Sequence, residues 1–159
     1  MEIKMKLGIS LFLSMVLSTS FASNVSNTFQ TSAQMQAACA IQIEDFNFGL
    51  IDYKNDKTML KSLEITCNKG VVAVGTLSKG NSDTFDRYMT DGTAESDFLK
   101  YFVNIPGGSS LGDGTSGTVK FTITGTGGQD FKWIAISVLR GQYFKPGNYS
   151  DSLTMTLTY

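Results

Sequence analysis

Residues 146–159 read PGNYSDSLTMTLTY. After the Pro146-Gly147-Asn148 turn former, Leu153, Met155, Leu157 and Tyr159 occupy every second position, with Ser152, Thr154, Thr156 and Thr158 between them. A two-residue period puts one set of side chains on each face of a pleated strand, so the stretch reads as a half-buried β-strand. Terminal residues are usually polar and frayed unless something ties them down. A closing strand that ends on an aromatic residue therefore raises the question of what covers its far side.

Working back along the chain, the same pattern recurs. Phe29, Thr31, Ala33, Met35 and Ala37 alternate with Gln30, Ser32, Gln34, Gln36 and Ala38. Further strand candidates are 41–48, 60–67, 71–77, 99–105, 118–124 and 131–139. Turn formers separate them: Asn68-Lys69-Gly70, Lys79 to Asp83, Pro106 to Gly117, and Gly125 to Gly128. Many short strands, glycine-rich connections and no long 3.6-residue period predict an all-β antiparallel sandwich. Stretch 131–139 is irregular, with Phe131 and Trp133 in one phase and Ile134, Ile136 and Val138 in the other. A phase-resetting bulge or burial on both faces would account for it.

The other end sets the compartment. Lys4 and Lys6 give a basic start, Leu7 to Leu17 is an apolar run of 11 residues, and Ser20-Phe21-Ala22 supplies small residues where a signal peptidase reads. A bilayer span needs about 20 residues. The expectation is a signal peptide over 1–22, cleaved between Ala22 and Ser23, with no membrane span in the mature chain. The remaining 137 residues suffice for one domain with its own core. Removing Glu2, Lys4 and Lys6 from the 13 basic and 14 acidic residues leaves 11 and 13, a net charge of −2. Without a basic patch, nucleic acid is not an expected partner. The two cysteines, Cys39 and Cys67, both lie in the exported part, where an oxidising compartment favours a disulfide between them.

Chemistry comes up nearly empty, and the expectation is no enzyme, metal or cofactor. The chain has no histidine, the commonest general base and metal ligand. Gly112 to Gly117 matches GxGxxG by letter, yet a strand-like stretch follows where a phosphate-binding turn needs a helix start. Asp91, Glu95 and Asp97 lack the spacing of a calcium loop. Asp52 and Asp56, the candidate paired carboxylates, sit in a polar turn.

What stands out is topological. The N-terminal alternating segment, 24–38, is polar on one face and modestly apolar on the other. A plain edge strand would look the same, and edge strands pair with other chains. In the functional reading, that pairing is the purpose, and the segment completes the sheet of another molecule.

Several short stretches together resemble the spore coat protein U domain family and the Csu-type archaic chaperone–usher pilins. They are Ala37-Ala38-Cys39, Phe46-Asn47-Phe48-Gly49, Ile65-Thr66-Cys67, Arg87-Tyr88-Met89, Tyr101-Phe102-Val103, Leu111 to Thr115, Gly141-Gln142-Tyr143 and the terminal 146–159. The resemblance implies an immunoglobulin-like sandwich that lacks its final strand. It divides the chain into a signal peptide (1–22), a donor-strand segment (23–38) and a pilin domain (39–159). Val25, Phe29, Thr31, Ala33 and Met35 would enter a neighbour's groove. Leu153, Met155, Leu157 and Tyr159 would form the acceptor groove and the chaperone contact. The implied partners are a periplasmic chaperone, an outer-membrane usher and other pilin subunits. The implied destination is a cell-surface pilus serving attachment and biofilm formation. A two-domain tip adhesin should be about twice as long, so a shaft or minor subunit is expected. The competing reading is a secreted or coat-associated module binding carbohydrate or a surface through its glycine-rich loops and exposed aromatics such as Trp133 or Tyr143.

Overall fold

The alternating segments become nine strands among the described residues, which in this computed structural model are 23–93 and 97–159. The signal peptide with Ala22, and Glu95 of the acidic run, lie outside the described residues. The strands are β1 (Cys39–Gln42), β2 (Lys57–Cys67), β3 (Val72–Leu77), β4 (Tyr88–Met89), β5 (Leu99–Lys100), β6 (Phe102–Asn104), β7 (Phe121–Thr124), β8 (Gln129–Val138) and β9 (Met155–Thr158). One antiparallel sheet has the order β1-β2-β8-β6 and a second has β7-β3-β9, while β4 and β5 pair separately.

The period-2 pattern explains why these residues face one another. Leu63, Ile65 and Cys67 of β2 and Ile134, Ile136 and Val138 of β8 point inward from the first sheet. Ala73 and Leu77 of β3 and Phe121 and Ile123 of β7 meet them from the second. The domain is an all-β antiparallel sandwich, as the sequence predicts. Gly75 is required where it stands, because the Phe121 ring from the paired strand occupies the space a Cβ would need.

Four expectations need correction. Stretch 131–139 contains neither a bulge nor a doubly buried strand. Its register runs unbroken from Lys57↔Val138 to Thr66↔Gln129, and Phe131 and Trp133 simply face outward, about half exposed. Stretch 41–48 is a strand only to Gln42, the last residue that pairs with β2, although β2 itself runs on to Lys57. Stretch 99–105 breaks at Tyr101, whose N–H still bonds the Arg87 carbonyl (3.1 Å) in continuation of the β4–β5 register, and from Phe102 the chain pairs with β8 instead. The sequence reading passed over β4, two residues long and too short for any periodicity.

The chain divides at Gln34 and Met35. In the first unit the described residues, 23–34, are exposed and carry no strand. In the second unit Met35 to Ala38 are likewise exposed and irregular before β1 begins at Cys39.

Candidate functional site: an open apolar groove

The groove arises where the first sheet stops covering the core. Past Gln42 the chain runs irregularly, and Lys61 of β2 fixes its course. The Lys61 ammonium donates to Glu44 Oε2 (2.9 Å) and the Asp45 carbonyl (2.6 Å), and lies 5.5 Å from the Phe46 ring centroid. That ammonium also holds the Glu44 carboxyl below its ordinary pKa. Ile43, Phe46, Phe48 and Ile51 thereby form one wall. Tyr149, Leu153 and Met155 form the other. Between the walls the core itself is the floor: Leu77, Leu99, Val103, Ile134 and Ile136. The space amounts to about 580 Å³.

One wall ends in a sheet edge that has no partner strand among the described residues. β9 pairs with β3, from Leu77↔Met155 to Val74↔Thr158. One residue earlier, the Ser78 N–H donates to the Thr154 carbonyl (2.9 Å). Antiparallel ladders alternate hydrogen-bonded and non-hydrogen-bonded pairs. Thr154, Thr156 and Thr158 therefore spend their backbone groups on β3, and those of Met155 and Leu157 point to the open side. The edge and the apolar side chains of the groove thus come from the same residues.

The groove wall is anchored by a polar knot. The Tyr101 hydroxyl donates to Asp151 Oδ2 (2.5 Å), and Asp151 Oδ1 accepts from the N–H groups of Asn81 (2.8 Å) and Ser152 (2.7 Å). Gly80, at φ 71°, lets this loop close over the Asp151 carboxylate. Behind it lies Arg87, 1% exposed. Its Nε (3.0 Å) and Nη2 (2.7 Å) donate to the Ser78 carbonyl, and Nη2 also donates to that of Leu111 (2.9 Å). Because Arg87 takes the Ser78 carbonyl, the Thr154 N–H bonds to the Ser78 hydroxyl instead (2.9 Å), and the β3–β9 ladder ends there. Burial depresses the Arg87 pKa and raises that of Tyr101.

The structure sorts the sequence-derived site residues as follows. Leu153 and Met155 line the groove. Leu157 faces Gly75 and packs on the core, and Tyr159, 57% exposed, lies beyond β9. Val25, Phe29, Thr31, Ala33 and Met35 are all exposed, as is Ser23. Cys39 and Cys67 form a disulfide between directly opposed positions of β1 and β2. The sequence reading missed the 43–51 wall and the Arg87–Tyr101–Asp151 knot; only the Phe46-Asn47-Phe48 alternation signalled the former.

The acidic candidates serve loops. Asp52 accepts from the N–H groups of Lys54 (2.8 Å) and Asn55 (3.0 Å), and Asp56 accepts from that of Arg140 (2.8 Å). Asp91 is paired with Lys145 (3.0 Å), whose N–H also reaches Asp97 (3.0 Å). The Gly112–Gly117 loop, turned by Ser116 at φ 51°, leads into β7. No helix among the described residues is long and apolar enough to cross a membrane.

A sandwich with one open, strand-shaped flank defines the class of the molecule. The chain belongs to the Spore Coat Protein U domain family, whose sequence model matches residues 25–156. No curated protein sequence matches it. Among solved structures, it is similar to a chain in the crystal structure of the CsuC-CsuE chaperone-tip adhesion subunit pre-assembly complex from archaic chaperone-usher Csu pili of Acinetobacter baumannii. The TM-score is 0.59 at 18% identity; the match covers 78% of this chain and 40% of that one.

Proposed function

We propose that this protein is a structural, non-enzymatic pilus subunit, exported by a chaperone–usher pathway and polymerised by donor-strand exchange at the cell surface. The observation that carries the reading is the groove, where apolar floor and unpaired β9 edge coincide. Such a surface is an aggregation hazard unless a strand fills it. In the periplasm a chaperone strand would occupy it, with Leu153, Met155, Leu157 and Tyr159 at the contact. At the outer-membrane usher, the 23–38 segment of another subunit would replace the chaperone. The composition of that segment suits insertion, because it contains no charged residue, although the rest of the mature chain holds all 24. None of its side chains would need to be buried as an ion. Fibres so built would serve attachment and biofilm formation.

The test is substitution along the segment. Phe29→Asp and Met35→Asp place a carboxylate in the groove, at a cost of several kcal/mol. Both should abolish heat-labile polymer ladders while chaperone-bound monomer still accumulates. Gln34→Asp falls on the opposite face of the strand and should polymerise nearly normally. Normal ladders from Phe29→Asp would refute the reading, and equal effects of Gln34→Asp and Met35→Asp would refute the register.

A further inference from the structure

A second recess lies on the outer face of the four-stranded sheet, created by two strands that stop short. β1 covers β2 only from Glu64 to Cys67, and β6 covers β8 only from Ala135 to Ser137. Between them Ser62 stands opposite Trp133 with no further strand on either side. The result is a trough of about 740 Å³. Leu60, Ser62 and Glu64 form its floor, Trp133 one flank, and the Gln42–Glu44 stretch the other. It shares only Ile43 and Glu44 with the groove, whose floor lies on the inner face of the same sheet.

The two flanks differ in chemistry. Trp133 is 50% exposed, an unusual position for a large aromatic side chain at mid-strand, and Phe131 two residues away is 51% exposed. The opposite flank and the floor offer an amide, a hydroxyl and carboxylates. Glu64 is oriented by the Gln129 amide, which donates to its Oε2 (2.8 Å). Glu44 is neutralised by Lys61 (2.9 Å). The trough therefore holds one uncompensated carboxylate, which disfavours phosphates, sulfates and uronates. The complementary ligand is a neutral ring with one apolar C–H face and an edge of hydroxyl groups.

We infer that this trough is a saccharide-binding site, taking a neutral pyranose stacked on Trp133 with its hydroxyl edge bonded to Gln42, Ser62 and Glu64. Phe131 stands about 7 Å along the strand from Trp133, a spacing that extends the platform toward a second sugar unit. The site does not depend on the groove, so sugar binding and polymerisation fail separately.

Trp133 is the sole tryptophan and so reports directly on the site. Its emission in the full mature chain is titrated with cellobiose, maltose and methyl α-mannopyranoside, with glucuronate and choline as charged comparisons. Saturation in the millimolar range by at least one neutral sugar is expected. Ser62→Leu, which fills the floor but keeps the reporter, should weaken binding about tenfold or more, and Glu64→Gln by several fold. Should Ser62→Leu fail to fold, Gln42→Ala, outside the core, carries the same expectation. No saturation by any neutral sugar up to about 50 mM overturns the proposal. So does saturation by glucuronate or choline alone. An emission change driven by protein concentration without sugar would show that a second copy covers the trough, and would overturn it equally.

Discussion

Arg87 brings a permanent positive charge to a position with almost no access to water, and among the described residues no carboxylate bonds to it directly. Its compensation comes from two main-chain carbonyls, from the Phe85 ring whose centroid lies 5.0 Å from its Cζ, and from Tyr101 and Asp151, whose fields oppose the depression of its pKa by burial. Nothing in the sequence marks this arginine apart from the exposed ones, because its carbonyl partners come from residues 9 and 24 positions away. Tyr101 titrates within the same knot. Burial, and then its bond to Asp151, raise its pKa well above the ordinary 10.0. Folding therefore favours the protonated phenol. That stabilisation is complete below pH 10 and is lost as pH rises further and the unfolded chain, whose phenol is ordinary, ionises first. Urea midpoints of the wild type should fall above pH 10 more steeply than those of Tyr101→Phe, which starts less stable at neutral pH. Parallel curves would show that Tyr101 does not titrate differently in the two states.

At the scale of elements, β9 was legible and its backbone was not. Alternation placed Leu153, Met155 and Leu157 on one face, but only the pairing with Ser78 shows which backbone groups are spoken for. Met155→Ala and Met155→Pro lose the same thioether, and only proline also loses the edge N–H. Both should fold to within about 1 kcal/mol of each other, because proline is tolerated where the N–H faces away from the sheet. Polymer ladders should survive Met155→Ala and disappear with Met155→Pro. Thr156→Pro, which removes a ladder donor, should cost about 3 kcal/mol. The reverse ranking of the two prolines in a urea melt would invert the assigned phase. The 43–51 wall escaped the sequence reading for a related reason. Its Phe46 and Phe48 alternate as in a strand while Ile43 falls in the other phase, none of them has a ladder partner among the described residues, and periodicity registers side chains rather than partners. Phe131 and Trp133 made 131–139 look irregular for the opposite reason: apolar residues in both phases suggest a bulge or burial on both faces, whereas these two aromatics face outward on an unbroken strand.

At the scale of the molecule, the sandwich was readable because β2, β3 and β7 obey one simple rule of burial, and its disulfide because Cys39 and Cys67 are the only two cysteines. How the groove opens was not, since it depends on where β1 stops relative to β2. The Cys39–Cys67 link closes a separation of 28 residues. By chain entropy it stabilises the fold by about 3.6 kcal/mol. Reduction, or the Cys39→Ala/Cys67→Ala double substitution, should lower unfolding free energy by about that amount in urea titrations followed by Trp133 emission. An unchanged midpoint would place the stabilisation elsewhere.

The position of that disulfide has a mechanical meaning. In a fibre joined by inserted segments, tension would reach each subunit through residue 38 and load Cys39 first. β1 is only four residues long and lies at a sheet margin, so hydrogen bonds alone would let it peel from β2 under modest pull. The covalent bridge sits at the very residue where the load arrives and passes it directly to Cys67, 2% exposed in the core. Residues 40–66 are thereby taken out of the covalent line of force. A pulled subunit would yield first where its neighbour's strand is seated, while its own first strand stays fastened.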